Sequence, residues 1–213
     1  VSSGAIAMGV GKMNMVRRPE DIPTKQALAA VGQCELMYVY DKLFGEYRHT
    51  VAQVLLTGAD VEDSQRRENF QNTLFRLLEL GVLPVINEND TVATAEIALG
   101  DNDTLGAVAA VNARADLLVL MSDIEGLYTA DPRRDPSARL IPEVRELTPE
   151  LLALAGDAGS EMGTGGMVTK LRAAGMCMEA GCDMIITNGQ RPQDLYRIAA
   201  GESVGTRFYG KRR

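Results

Sequence analysis

Short apolar runs alternate along this chain with longer stretches whose apolar residues recur every three or four positions. Val51-Ala52-Gln53-Val54-Leu55-Leu56-Thr57 is nearly continuous, the pattern of a strand buried on both faces. Residues 82–86, 116–121 and 183–187 repeat it, the last read as the final strand. Between them the spacing predicts a helix over residues 25–47, striped by Ala27, Ala30, Val31, Leu36, Val39 and Leu43, with Pro23 suited to a first turn. A second helix is predicted over 64–80 on Phe70, Leu74, Leu77 and Leu78, closed by Gly81. Further helices are expected after Gly4, from 100–103 through about 113, over 149–155, over 168–180 with Gly181 as its stop, and over 192–200. Strands alternating with helices at this pace predict an α/β fold with a parallel sheet, whose ligands sit outside the strand C-termini. Ser3, Asn87 and Ser122-Asp123 all fall at such ends.

Composition narrows the partners. A chain of 213 residues with 46% apolar and 24% charged residues has an ordinary globular composition. Its net charge of −7 repels phosphate backbones, so nucleic acid is not expected as a partner. No apolar run approaches the roughly eighteen residues that span a bilayer, and no secretion signal opens the chain as given, so a cytoplasmic protein is expected. Cys34, Cys177 and Cys182, odd in number and without Cys-x-x-Cys spacing, read as reduced, buried thiols. His49, the single histidine, reads as a surface residue, which excludes a His-rich metal site. Tyr38 and Tyr40 read as packing residues.

Two Asn/Asp clusters stand out, Asn87-Glu88-Asn89-Asp90-Thr91-Val92 and Gly100-Asp101-Asn102-Asp103. Turns and helix caps explain one cluster comfortably. Both together suggest a pocket edge facing a small charged ligand. Asp90 suits an α-ammonium, Asn102 suits a carboxylate, and Asp103 suits a lysine or magnesium. Gly163-Thr164-Gly165-Gly166-Met167-Val168-Thr169-Lys170 is the most phosphate-like stretch, since glycines free backbone amides and a helix start favours anions. Its glycines end a glycine-rich segment, 156–166, expected to be a long loop. Lys170 adds a full positive charge, although the register is neither a P-loop nor a dinucleotide fingerprint.

These segments, with Val1-Ser2-Ser3-Gly4-Ala5-Ile6 and Gly126-Leu127-Tyr128-Thr129-Ala130-Asp131-Pro132, resemble the glutamate 5-kinase branch of the amino acid kinase family, in order and over essentially the whole chain. The resemblance implies a three-layer αβα sandwich with a mainly parallel central sheet, and a single domain over 1–213. It implies transfer of phosphate from ATP to L-glutamate, giving γ-glutamyl phosphate for proline biosynthesis, with magnesium on the ATP phosphates. Carried over by position, Ser3, Gly4, Asn87, Asp90 and Asn102 would bind glutamate. Ser122, Asp123, Thr164, Gly165, Gly166, Met167, Val168, Thr169 and Lys170 would bind the nucleotide. Lys170 would stabilise the transferring phosphoryl group and Asp103 would organise the catalytic lysines. Feedback inhibition by proline and self-association into a homo-oligomer are implied as well.

Three departures accompany the likeness. The family's first strand, with its Lys-x-Gly-Ser/Thr motif and a second phosphoryl-stabilising lysine, is expected before Val1. Ser122 stands where the family usually has Thr, and a following PUA domain, common in the family, is not expected after Arg213. Other amino acid kinases, acting on acetylglutamate, aspartate, carbamate or UMP, remain alternatives, as does a non-catalytic amino-acid-binding module. A nicotinamide dehydrogenase is disfavoured, because no Gly-x-Gly-x-x-Gly follows an early strand.

Overall fold

A computed structural model describes residues 1–17, 19–93, 101–157 and 166–211, the side chains of 155–157 excepted. The chain divides into two compact units, Val1–Leu105 and Gly106–Arg213.

The first unit holds α1 (Ala5–Lys12), α2 (Ile22–Gly45), β1 (Val51–Leu56), α3 (Gly58–Glu62), α4 (Ser64–Glu79) and β2 (Leu83–Glu88). α2 starts where Asp21 accepts a hydrogen bond from Thr24 N, with Pro23 in the first turn as expected. Its buried face is Leu28, Ala29, Gly32, Gln33 and Leu36. That overturns most of the expected stripe: Ala27, Ala30, Val31, Val39 and Leu43 are exposed. The reason is a backbone-to-backbone approach of α1 to α2. A Cβ on Gly32 would lie 1.7 Å from Ala5 O, and one on Gly9 would lie 2.0 Å from Leu28 O. Two glycines therefore outrank larger apolar residues in choosing which face packs.

α4 is capped by Asp63, which accepts from Arg66 N, and buries Phe70 and Leu74 while Leu78 is exposed. It ends where Gly81 takes a φ of 70° and the amides of Gly81 and Val82 return to Leu78 O and Leu77 O. β1 and β2 pair in parallel, from Val51↔Leu83 to Leu56↔Glu88. β1 is less buried than its apolar run suggested, only Leu56 being fully enclosed, because β2 is its one partner among the described strands.

α5 (Asn102–Asn112) begins in the first unit and runs into the second. The second unit then has β3 (Leu117–Ser122), β4 (Glu143–Val144), α6 (Pro149–Asp157), α7 (Met167–Ala180), β5 (Asp183–Asn188), α8 (Asp194–Ala199) and β6 (Thr206–Phe208). The sheet order is β3-β5-β6-β4, with β3 and β5 parallel and β5 and β6 antiparallel. β5 is thus neither last nor purely parallel in its pairing. Strand alternation sends its side chains both ways. Met184 and Ile186 pack with Ala107, Ala110, Leu171, Ala174 and Cys177 of α5 and α7, while Ile185 packs with Ile198 of α8 and Val204. Helices on both faces of a mainly parallel sheet give the expected three layers.

α7 closes with Gly181 at a φ of 82° and Cys182 N donating to Cys177 O. That turn brings the two buried thiols together, and the hydrogen bond that the Cys177 thiol donates to Cys182, reinforced by burial, holds Cys177 in its protonated form. Cys34 is exposed, contrary to expectation, because it lies off the Gly32 face of α2. His49 is exposed as expected. Among the described residues no helix is long and apolar enough to cross a membrane.

Candidate active site

The residues expected on the acceptor side gather at the end of β2. Ser2 N donates to Ile86 O at 2.9 Å, which lays the start of the chain along that strand. Gly4, at a φ of 102°, then turns the chain into α1. This left-handed value is one that only glycine adopts without strain. Asp101 opens α5 by accepting from Thr104 N at 2.8 Å and Thr104 Oγ1 at 3.1 Å. Asn102 is therefore held in the first turn, and its Nδ2 donates to Ser3 Oγ at 2.6 Å, Ser2 O at 3.3 Å and Asn87 Oδ1 at 3.3 Å. Three of the expected glutamate-binding residues, 3, 87 and 102, are thus in one hydrogen-bonded cluster, with Gly4 adjacent in the chain.

Asp90 lies in the turn that follows β2. Asn89 N donating to Leu56 O at 2.7 Å ties this turn to β1, and Gln26 Nε2 donating to Ala93 O at 3.1 Å ties it to α2. The side chain is half-buried, and desolvation pushes its carboxyl above the ordinary carboxylate range. A carboxylate placed there gains from any cation brought to it. Asp103 is half-buried in the first turn of α5.

The nucleotide-side residues lie in the second unit. Ser122 ends β3, where its hydroxyl donates to Asp123 Oδ1 at 3.1 Å and its carbonyl accepts from Gly189 N at 2.7 Å. Asp123 is exposed. Its ion pair with Arg133, 3.9 Å between two solvent-facing groups, adds little. Thr164 and Gly165 lie outside the described residues, as does most of the expected glycine-rich loop. Gly166 is the cap of α7, with extended backbone and no side chain to satisfy the first-turn amides. Thr169 Oγ1 instead donates to Gly166 O at 2.7 Å. Met167 and Thr169 are half-buried and Val168 is exposed. Lys170 is 5% exposed on the face of α7 that carries Leu171, Ala173 and Ala174 into the core. Lysines this deep are rare unless their ammonium is paired.

Sequence reasoning missed three residues of the acceptor cluster. Asp101 positions Asn102 through the cap it makes. Tyr40, expected only to pack, donates its hydroxyl to Ser2 Oγ at 3.0 Å. Gln33 Oε1 accepts from Asn87 Nδ2 at 3.0 Å. A glutamine one residue from a glycine that packs was the available signal for the last, and it is invisible until the packing face of α2 is known.

Comparison with known proteins identifies the family. The amino acid kinase family model matches residues 1–188. Glutamate 5-kinase of Clostridium perfringens is 50% identical over 216 residues, covering all of this chain and 80% of that protein. That of Listeria innocua is 50% identical over 216 residues, with 78% of its length covered. The Carboxydothermus hydrogenoformans enzyme is 53% identical over 213 residues, but the chain spans only 57% of it. Among solved structures, an isopentenyl phosphate kinase of T. acidophilum superposes with a TM-score of 0.61 at 16% identity, covering 94% of this chain and 78% of that one. A carbamate kinase of Giardia lamblia bound to AMP-PNP gives 0.60 at 17%, covering 98% and 79%. The two structures share the fold; the sequence identities go further, and the chain belongs to the amino acid kinase family, within its glutamate 5-kinase group.

Proposed function

We propose that this chain transfers the γ-phosphoryl group of ATP to the side-chain carboxylate of L-glutamate, giving ADP and γ-glutamyl phosphate in the first step of proline biosynthesis. The observation that carries the proposal is the hydrogen-bonded cluster of Ser3, Asn87 and Asn102, with half-buried Asp90 three residues beyond Asn87. Such a site offers a half-buried carboxyl for an α-ammonium, with a hydroxyl and amides beside it for the other polar groups of an amino acid. An acceptor with a blocked amine would leave Asp90 uncompensated, which favours glutamate over acetylglutamate.

A glutamate carboxylate oxygen attacks the γ-phosphorus in line. The bond from phosphorus to the β,γ-bridging oxygen breaks, and ADP leaves with that electron pair. Little covalent chemistry is asked of the protein, so placement and charge carry the rate. Lys170 is assigned the charge for the transferring group, Asp103 the organising of the catalytic lysines, and Ser122, Asp123 and residues 164–170 the nucleotide. Magnesium, brought on the ATP phosphates, would supply charge neutralisation there. The uncapped glycine start of α7 fits a phosphate, and the nucleotide analogue in the Giardia carbamate kinase supports ATP as the donor. Proline, which shares the α-carboxylate and a cationic nitrogen, competes at the acceptor cluster. The two units are read as one amino acid kinase domain, since the family model crosses the boundary between them. Exposed Val31, Tyr38, Val39 and Leu43 on α2 support self-association, and the net charge and composition support a cytoplasmic setting.

The deciding experiment is glutamate-dependent ADP release with hydroxylamine trapping of the acyl phosphate, on the native protein and Asp90→Ala. Trapped hydroxamate that requires glutamate and is lost in the variant supports the reading. ADP release indifferent to glutamate, or untouched by the substitution, defeats it.

A further inference from the structure

Ser2 O, a backbone carbonyl, can only accept a hydrogen bond. It faces Asn102 at 3.3 Å, so the Asn102 amide must turn its nitrogen that way. The same nitrogen faces Asn87 at 3.3 Å, so Asn87 must present Oδ1 to it and send its own nitrogen to the other side. There Gln33 meets it at 3.0 Å and must present Oε1. Three carboxamides are thus aligned head to tail, and the orientation of each follows from its neighbour. The line ends on Gln33 Nε2, which among the described residues is a buried side-chain donor with no partner. Gln33 is 8% exposed and Asn87 3%, so water does not readily correct a wrong orientation at either.

The reversed alignment is the informative alternative. If Gln33 turned over, its nitrogen would find Asn87 Oδ1 and the orphan donor would vanish. Asn87 would then offer nitrogen to Asn102, Asn102 would offer oxygen back, and Ser2 O and Ser3 Oγ would lose their donor. The observed direction keeps the bonds at the Ser3 end and places the unsatisfied atom on Gln33, at the opposite end of the line. With its nitrogen committed, Asn102 has Oδ1 as its uncommitted atom among the described residues, and Ser3, accepting at 2.6 Å, keeps its hydroxyl hydrogen to donate.

We propose that Gln33 is a positioning residue for the acceptor amino acid, setting through Asn87 the direction in which the Asn102 amide faces its ligand. Resting on the functional reading above, this assigns Asn102 Oδ1 together with Asp90 to the α-ammonium, and the Ser3 hydroxyl to a carboxylate. It corrects the expectation that the Asn102 amide reads the carboxylate. Specificity at the site then depends on a residue that touches no substrate.

Gln33→Met removes the acceptor at nearly constant volume, while Gln33→Glu keeps an oxygen facing Asn87. The expected result for Gln33→Met is a rise of about tenfold in the glutamate KM, the worth of one misdirected hydrogen bond, with ATP KM and kcat within about twofold. Gln33→Glu restores the glutamate KM to within about threefold of native. A purely structural role would lower thermal stability and the active fraction in both variants and leave both KM values alone, which overturns the proposal. A second readout needs no substrate. In nitrogen-15 NMR of the ligand-free protein, Gln33→Met should shift the Asn102 side-chain amide and hasten its exchange, although Gln33 does not touch it; an effect stopping at Asn87 refutes the alignment. Native protein that releases no ADP with glutamate would instead remove the functional reading, and the NMR result would still decide the alignment.

Discussion

Asn102→Asp exchanges one side-chain nitrogen for oxygen and leaves the shape unchanged, so its consequences come from hydrogen-bond polarity and charge, not from packing. The lost nitrogen serves Ser3 Oγ, Ser2 O and Asn87 Oδ1. Ser3 can turn its hydroxyl and donate to the new oxygen. Ser2 O, a backbone carbonyl, cannot, and Asn87, 3% exposed, can only by turning over together with Gln33. Leaving such an acceptor unpaired costs roughly 1–3 kcal/mol, and facing it with an ionised oxygen costs more, so about 3 kcal/mol is expected. At roughly 2–4 °C per kcal/mol for a chain of this size, Asn102→Asp should melt about 6–12 °C lower. Asn102→Ala orphans the same acceptor without adding charge and should lose only about 2 kcal/mol. The isosteric change is therefore the worse one. Acid reverses the order, because a neutral carboxyl regains an O–H donor. The introduced carboxyl has its proton affinity raised by its acceptor neighbours, so its stabilising share is complete below the ordinary Asp pKa of about 3.9 and is lost as pH rises through the higher folded value. Calorimetric melts of both variants across pH test this. An Asp variant that melts with the native protein at neutral pH, or one that ignores acid, refutes the assigned polarity.

Three further outcomes follow from the geometry. Asp90→Asn should raise the glutamate KM roughly thirtyfold, about 2 kcal/mol for a charge-assisted bond, with ATP KM unchanged. Burial raises the Asp90 carboxyl, so native glutamate binding should weaken as pH falls through that raised value, and a KM profile that is equally pH-dependent in the variant would contradict the assignment. Lys170→Met should lower kcat roughly 10²–10³-fold while leaving glutamate KM near native, read by steady-state kinetics. Gly32→Ala would bring a Cβ within 1.7 Å of Ala5 O and should destabilise by about 3 kcal/mol or more. Gly11→Ala on α1, with open space at its Cβ, should be neutral or gain up to about 1 kcal/mol; equal melting temperatures for the two variants would deny the close helix contact.

Legibility of the fold in the sequence followed the length of each signal. The strands at 51–56, 83–88, 117–122 and 183–188 and the helices at 64–79, 102–112 and 167–180 lie where the apolar pattern and the glycine stops predicted them. β4 and β6, two and three residues long, are too short for any period to show. The packing face of α2 escaped because hydrophobicity was the wrong criterion there: backbone approach at Gly9 and Gly32 chose the face. The meeting of Asn87 with Asn102 was legible as a pair of Asn/Asp clusters, whereas their mutual orientation was not. A glutamine on a helix ordinarily faces water, and only the pairing of Asn87 with Gln33 shows otherwise.

The placement of the three thiols has a practical meaning of its own. Cys34 stands in the open on the first unit, while Cys177 and Cys182 are sealed in the second, at the C-terminal end of the helix that carries Lys170 in its first turn. A thiol reagent therefore finds one group at once and the other two only when that helix end opens. The native chain carries its own stopwatch: a prompt label that counts molecules, and a delayed pair whose modification times the breathing of the lysine-bearing helix without any engineered probe.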